Sequence, residues 1–373
     1  MSASLVVIGD VGTADAAALR VAEVGHLEDV PTAGTAWRGE FDSRIDATWP
    51  TGASAKQGSV KTVSGAVRPG WSGREVSLQR RVPGGWARLG TTQTAGDGSF
   101  LIRIPTEVLG NYRLRMVASA TVLAAAAVAA RPGKFKVKPA RRPAGKAGDH
   151  VYLRKRPPVV RWNPCAPIRY QVNARRAPAG ALKDVKVALS RISAATGLVF
   201  EYAGPSRVDP KMSASQDYGP NVDLLIGWVN GSQTDMFQGR GTAPVATGGP
   251  IYYKKGFIDG AGRPVAWAFK GRVAINVAYN KRLKPGGGKG FTRVKTLMHE
   301  LGHVVGLNHA RTKTQVMYPR IGFGNNRWGR GDLAGLRHLG AEQGCVYQAD
   351  GAPLPSRSRG SSAPGPVVAR ALD

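Results

Sequence analysis

One stretch constrains this chain more than any other: Thr296-Leu297-Met298-His299-Glu300-Leu301-Gly302-His303-Val304-Val305-Gly306-Leu307-Asn308-His309. It gathers three of the six histidines of the 373-residue chain on one short segment. The pattern predicts a helix over 293–305 with Thr292 as its N-cap. Positions i and i+4 share a helical face, so His299 and His303 can point at one ion. Glu300 is rotated about 100° from His299, which suits a group that contacts a water rather than the ion itself. Gly306 fits the helix stop, where a left-handed backbone is easiest for glycine. The chain can then turn back and bring in His309. Three neutral imidazoles with one position open are a catalytic zinc arrangement, because structural zinc sites are closed by four ligands.

The spacing H-E-x-x-H-x-x-G-x-x-H resembles that of the metzincin zinc proteases. The likeness extends past the histidines. Val316-Met317-Tyr318-Pro319 is similar to the methionine turn of metzincins, in which a Met lies beneath the zinc ligands. Gly331-Asp332-Leu333-Ala334-Gly335-Leu336-Arg337-His338-Leu339-Gly340 is similar to the C-terminal helix of matrixins, where Asp332 would anchor that helix to the turn. Read locally, Asp332 is equally a good N-cap. Two residues depart from the family pattern. Ala310 stands after the third histidine where matrixins carry serine, and Tyr318 directly follows Met317 instead of lying two residues on. The chain thus looks like a matrixin-like secreted bacterial metalloprotease over roughly residues 160–345.

This resemblance implies an α+β catalytic domain, a mixed twisted sheet with a zinc-binding active-site helix. It implies Zn(2+) held by His299, His303 and His309, with Glu300 as general base and Met317 as the supporting floor. Structural Ca(2+) is an option by family analogy alone; no calcium-loop signature stands in the sequence. The implied substrate is protein or peptide, paired as an added strand with an edge running from Val245 through Tyr253.

Length allows two or three domains. Formal net charge is +29, from 53 Lys and Arg against 24 Asp and Glu. That balance favours anionic partners, among them cell-surface polymers. No nucleic-acid-binding motif accompanies it, so a specific nucleic acid is not expected. Cys165 and Cys345 bracket the matrixin-like region. A disulfide between them is the main reading, and it implies an oxidising, extracytoplasmic compartment. The competing reading, an inhibitory thiolate on the zinc, lacks the matrixin switch sequence around Asn163-Pro164-Cys165-Ala166-Pro167. Met1 to Val11 offers no clear signal peptide, having no basic leader and an interrupting Asp10. Met116 to Ala130 is too short for a membrane span.

In order, residues 1–57 read as a disordered or leader-like segment, with His26 an ordinary surface residue. Residues 58–130 read as a small all-β sandwich, from short alternating stretches and strong turns at Pro83-Gly84-Gly85 and Gly96-Asp97-Gly98. This sandwich resembles bacterial immunoglobulin-like accessory domains. Residues 131–157 read as a basic linker and a site for activating cleavage. Residues 158–348 read as the catalytic domain, and 349–373 as a disordered tail. The expected function is a monomeric zinc-dependent endopeptidase, secreted or extracytoplasmic. The alternative is an inactive zinc-binding secreted adhesion or interaction protein whose function lies in the β-domain.

Overall fold

The structure, a computed structural model, describes residues 42–122, 124–131, 133–238, 243–320, 327–354 and 366–368. Most of the expected leader segment, residues 1–41 with His26, lies outside them.

The N-terminal region is built from ten strands: β1 (Arg44–Thr48), β2 (Ser54–Lys56), β3 (Thr62–Arg68), β4 (Glu75–Val82), β5 (Gly85–Gln93), β6 (Ser99–Arg103), β7 (Gly110–Tyr112), β8 (Leu114–Ala118), β9 (Ala127–Ala130) and β10 (Phe135–Lys138). They form three sheets, ordered β1-β3-β6, β5-β4-β8-β9 and β2-β10-β7. Alternation decides which side chains go inward. On β6, Phe100 and Ile102 are buried while Leu101 is exposed, and on β8 Leu114, Met116 and Ala118 are buried. The strands begin at Arg44, ahead of residue 58, because Ile45 and Ala55 are buried in the same core.

The segment 131–157 differs from a solvated tether. Its charges alternate with apolar residues, so Phe135 and Val137 are buried and β10 completes a sheet. Farther on, β11 (Val151–Tyr152) pairs with β19 (Leu307–Asn308), immediately before His309. The backbone N–H of Leu153 also donates to the carbonyl of Gly306.

The C-terminal part is an α+β unit. Its further elements are β12 (Val160–Trp162), β13 (Ile168–Asn173), α1 (Ala181–Thr196), β14 (Phe200–Pro205), β15 (Leu224–Val229), β16 (Ala246–Tyr253), β17 (Phe257–Asp259), β18 (Ala266–Asn276), α2 (Arg293–Val304), α3 (Arg330–Leu339), β20 (Val346–Gln348) and β21 (Val367–Val368). The main sheet runs β14-β13-β15-β18-β16-β21, with β12 beside β18. Strands β13, β14, β15 and β18 are parallel, and β16 is antiparallel to β18. The strand β15 is apolar throughout and wholly buried, as expected of a central parallel strand. Helix α1 turns Val185, Leu189 and Ile192 inward and stops at Gly197, whose φ of 75° lies in the left-handed region. Cys165 and Cys345 are disulfide-bonded, 5.4 Å apart at Cα. None of the described helices is long and apolar enough to cross a membrane.

The two regions touch directly. Leu109 N–H donates to the carbonyl of Ala194 on α1, Asn111 N–H donates to the Glu342 carboxylate, and Arg80 donates to the carbonyl of Ala341. The β4–β5 turn at Gly84 lies so close to the backbone of Gly260 that a side chain there would collide with it.

Candidate metal centre

Thr292 caps α2 by accepting from the N–H of Lys295, and every residue of the helix is buried. Val294, Leu297, Met298, Leu301 and Val304 face the core, which leaves His299 and His303 on the remaining face, one turn apart. Gly306 then takes φ 113° and passes under the carbonyl of Val160. This reversal leads through β19 to His309.

The three rings converge. His303 Nε2 lies 3.1 Å from His299 Nε2, and His299 Nε2 lies 3.2 Å from His309 Nε2. Their other nitrogens reveal the tautomers. His299 Nδ1 is 2.8 Å from the carbonyl of Val316, and His303 Nδ1 is 2.9 Å from the carbonyl of Leu307. A carbonyl oxygen only accepts, so both Nδ1 atoms carry the hydrogen. Burial, reinforced by the neighbouring imidazoles, pushes the pKa of His303 well below its ordinary value, so this ring is neutral. In the neutral His303 ring Nε2 is a bare lone pair, and it is aimed at His299 Nε2 at 3.1 Å. A cation between them satisfies the arrangement. Ligands around tetrahedral zinc at about 2.0–2.1 Å stand roughly 3.3–3.4 Å apart, close to what is seen. The donor set therefore fits zinc, and each carbonyl fixes its ring as an outer-shell partner does.

Glu300, on the same helix and 4% exposed, abuts β16, where a side chain on Gly248 would meet the Glu300 backbone oxygen at 2.7 Å. Met317 is buried against Gly302. Asp332 holds the turn around it. Its carboxylate accepts from the N–H groups of Val316 at 2.6 Å, Gly329 at 3.0 Å and Met317 at 3.3 Å. Burial outweighs these donors and raises its pKa to about 6. Asp332 is the third residue of α3, and Gly329 is the N-cap, so the local N-cap reading is displaced by three positions. The predicted edge, β16, carries the two-residue β21 on its outer side, with Ile251 opposite Val368 and Tyr252 opposite Val367.

Several supporting residues gave no sequence signal. Gln315 Oε1 accepts from the N–H groups of Gly331 and Asp332, each at 3.0 Å. Asp149, the lone acid of the basic segment, accepts from Arg311 N–H at 2.9 Å and from the Thr312 hydroxyl, holding the loop beyond His309. Arg293 pairs with Asp184 of α1 at 2.6 Å and so locks the start of α2.

Residues 181–339 match the family model Peptidase_M10, Matrixin. No curated protein matches the chain. Among solved structures, the sulfur carrier protein SoxY from Chlorobium limicola f thiosulfatophilum is similar at 15% identity over 26% of this chain and 84% of that one, with a TM-score of 0.18. Matrixins are zinc-dependent peptidases, and the matched segment contains all three converging histidines. Residues 181–339 are accordingly a matrixin-like metzincin peptidase domain.

Proposed function

We propose that this protein is a zinc-dependent endopeptidase in which His299, His303 and His309 hold the metal and Glu300 is the general base. One observation supports this most: the ring nitrogens of His299, His303 and His309 converge, with His303 Nε2 3.1 Å from His299 Nε2. Zinc, when bound, supplies Lewis acidity, lowering the pKa of water and polarising a carbonyl. Glu300 takes the proton of the attacking water and passes it to the departing amine. Its place beside β16 suits this role, since Gly248 of that edge packs closely on the Glu300 backbone and Cβ, and a peptide would add along the same edge. Met317 and Asp332 hold the floor under the histidines. The β-region, which resembles an immunoglobulin-like sandwich, is an accessory domain of residues 58–130 with the strands before and after it. A disulfide and a strongly basic surface favour an extracytoplasmic setting among anionic polymers.

The test is casein digestion alongside metal analysis. One zinc per chain, loss of digestion on chelation and loss in Glu300→Gln with zinc retained are expected. Undiminished digestion by Glu300→Gln would reject the mechanism, and a wild type that cleaves no protein would favour a zinc-binding interaction protein.

A further inference from the structure

The outer face of the β5-β4-β8-β9 sheet carries charge that the reaction above does not use. Alternation places it there. Leu114 is buried between Arg113 and Arg115, so those two side chains point outward from β8. Arg81 lies opposite Trp86 of β5, and Gln79 lies opposite Arg115, so all of these share one face. Arg115 reaches across β4. Its Nε donates to Gln79 Oε1 at 2.8 Å, and its guanidinium sits 4.2 Å from the centre of the Trp86 ring. Arg81 stacks on the same ring at 5.5 Å.

These cations differ from the arginines around them. Arg88, on the same sheet, pairs with Glu75, and Arg80 donates to the carbonyl of Ala341. Arg81, Arg113 and Arg115 have no carboxylate partner among the described residues. Burial, and then the charge of Arg81, lowers the pKa of Arg115 below its ordinary value. Like charges gathered around one ring repel, and no acid lies between them. The ring and the Gln79 amide nevertheless hold the Arg115 guanidinium in place, so a planar, bidentate donor is fixed before any anion arrives.

The rest of the face decides which anion. Arg113 and Arg115 are two residues apart on β8 and Arg81 is on the next strand, spacings of about 7 Å and about 5 Å. Such spacing suits an anion that repeats along a chain. Thr91 and Gln93 of β5 add exposed, neutral hydrogen-bonding groups to the same face, which fit hydroxyls. Trp86 is the single aromatic residue of these four strands, and two guanidinium groups already engage it. Base stacking, on which single-stranded nucleic acid depends, is therefore not offered. A sheet presented by its face also has no helix or two-stranded ribbon to enter a duplex groove.

We propose that this face is a docking surface for an acidic polysaccharide, with Arg81, Arg113 and Arg115 binding its carboxylates and the neutral side chains meeting its hydroxyls. The net charge of +29 draws such a polymer in from a distance, and the arginine cluster gives it one seat. The docking does not depend on the peptidase reading.

Binding of the full chain to immobilised polygalacturonate tests this, with its methyl ester, the same polymer without charge, as one comparison and double-stranded DNA and anionic lipid vesicles as others. Polygalacturonate should be preferred over the methyl ester at least tenfold, and its binding should weaken as salt is added. The variant Arg81→Gln, Arg113→Gln, Arg115→Gln should bind at least tenfold more weakly than the wild type. The variant Lys56→Gln, Lys136→Gln, Lys186→Gln removes the same charge from exposed positions elsewhere and should stay within twofold. Arg81→Gln, Arg113→Gln changes only exposed side chains, leaves half-buried Arg115 in place, and should fall between the two. Hydrolysis of a short neutral peptide should be unchanged in all three, which separates docking from catalysis. Equal weakening by the two triple variants would reduce the effect to net charge and overturn the proposal. So would failure to bind the acidic polymer, or tighter binding of DNA or vesicles through the same three arginines.

Discussion

Replacing Gly306 by alanine puts two separate physical costs on the turn that leads to His309. The first is conformational. At φ 113°, an L side chain sits in a sparsely populated region at about 1–3 kcal/mol. The second is steric. The new Cβ would lie 2.5 Å from the backbone oxygen of Val160 and 3.4 Å from Leu339 Cδ1. A strand carbonyl cannot rotate aside as a side chain can, so relief requires a backbone shift, costing about 1–3 kcal/mol. Together the loss is about 2–6 kcal/mol. Gly262→Ala is the control, since Gly262 has φ 74° with nothing within 4 Å and carries only the conformational cost. Urea unfolding of both variants with zinc chelated gives the comparison. Gly306→Ala should be less stable than Gly262→Ala by at least about 1 kcal/mol, the lower bound of the overpacking cost. Zinc affinity should fall about 10- to 100-fold in Gly306→Ala alone, the usual effect of disturbing the outer support of a ligand. Equal stability of the two variants, with zinc affinity intact, would refute the close-approach argument.

Further outcomes are expected from the same structure. Glu300→Gln should keep stoichiometric zinc while kcat falls about 10²- to 10⁴-fold, read by metal analysis and peptide hydrolysis. The double variant Cys165→Ser, Cys345→Ser opens a loop spanning 180 residues, and the chain-entropy argument gives a loss of about 5 kcal/mol, measurable by denaturant unfolding. In metal-free protein, His303 is neutral when folded and has a depressed pKa. The unfolded chain therefore binds the proton more readily, and stability should fall as pH drops below 6.5; His303→Gln should flatten that limb of the pH–stability curve. Deleting residues 355–373 removes the strand opposite Ile251 and Tyr252. Peptides long enough to reach that part of β16 should then show raised kcat/KM, with short peptides unchanged.

The helical part of the site was legible because its rules are local. An i, i+4 pair of histidines, a threonine cap and a glycine stop are read from neighbours in sequence, and α2 has the expected cap at Thr292. The continuous apolar run of β15 and the 3- and 4-residue spacing of Leu182, Val185, Leu189 and Ile192 on α1 were visible for the same reason. What stayed hidden depends on distant partners. Val316 and Leu307 act through backbone carbonyls, which any residue type supplies, so no letter marks them as the groups that fix the imidazole tautomers. Asp149 sits among many basic residues, and composition assigned it to a tether. Its contact with Arg311 spans 162 residues and exists only once β11 has paired with β19. Charge counting likewise missed Phe135 and Val137, two apolar residues that draw a basic segment into a sheet.

The direct seating of the β-region on the back of α1 and the 341–344 turn sets a length scale. The contacts through Leu109 and Asn111, at the start of β7, and through Arg80 on β4 come from two separate places in that region, so they resist rotation as well as separation. A module swinging on a flexible leash would sample a volume and let the enzyme cut wherever a bond came within reach. A module held at two separate places acts as a ruler. A surface held by such a module would meet the three histidines at one fixed offset, and where it was cut would then be set by distance.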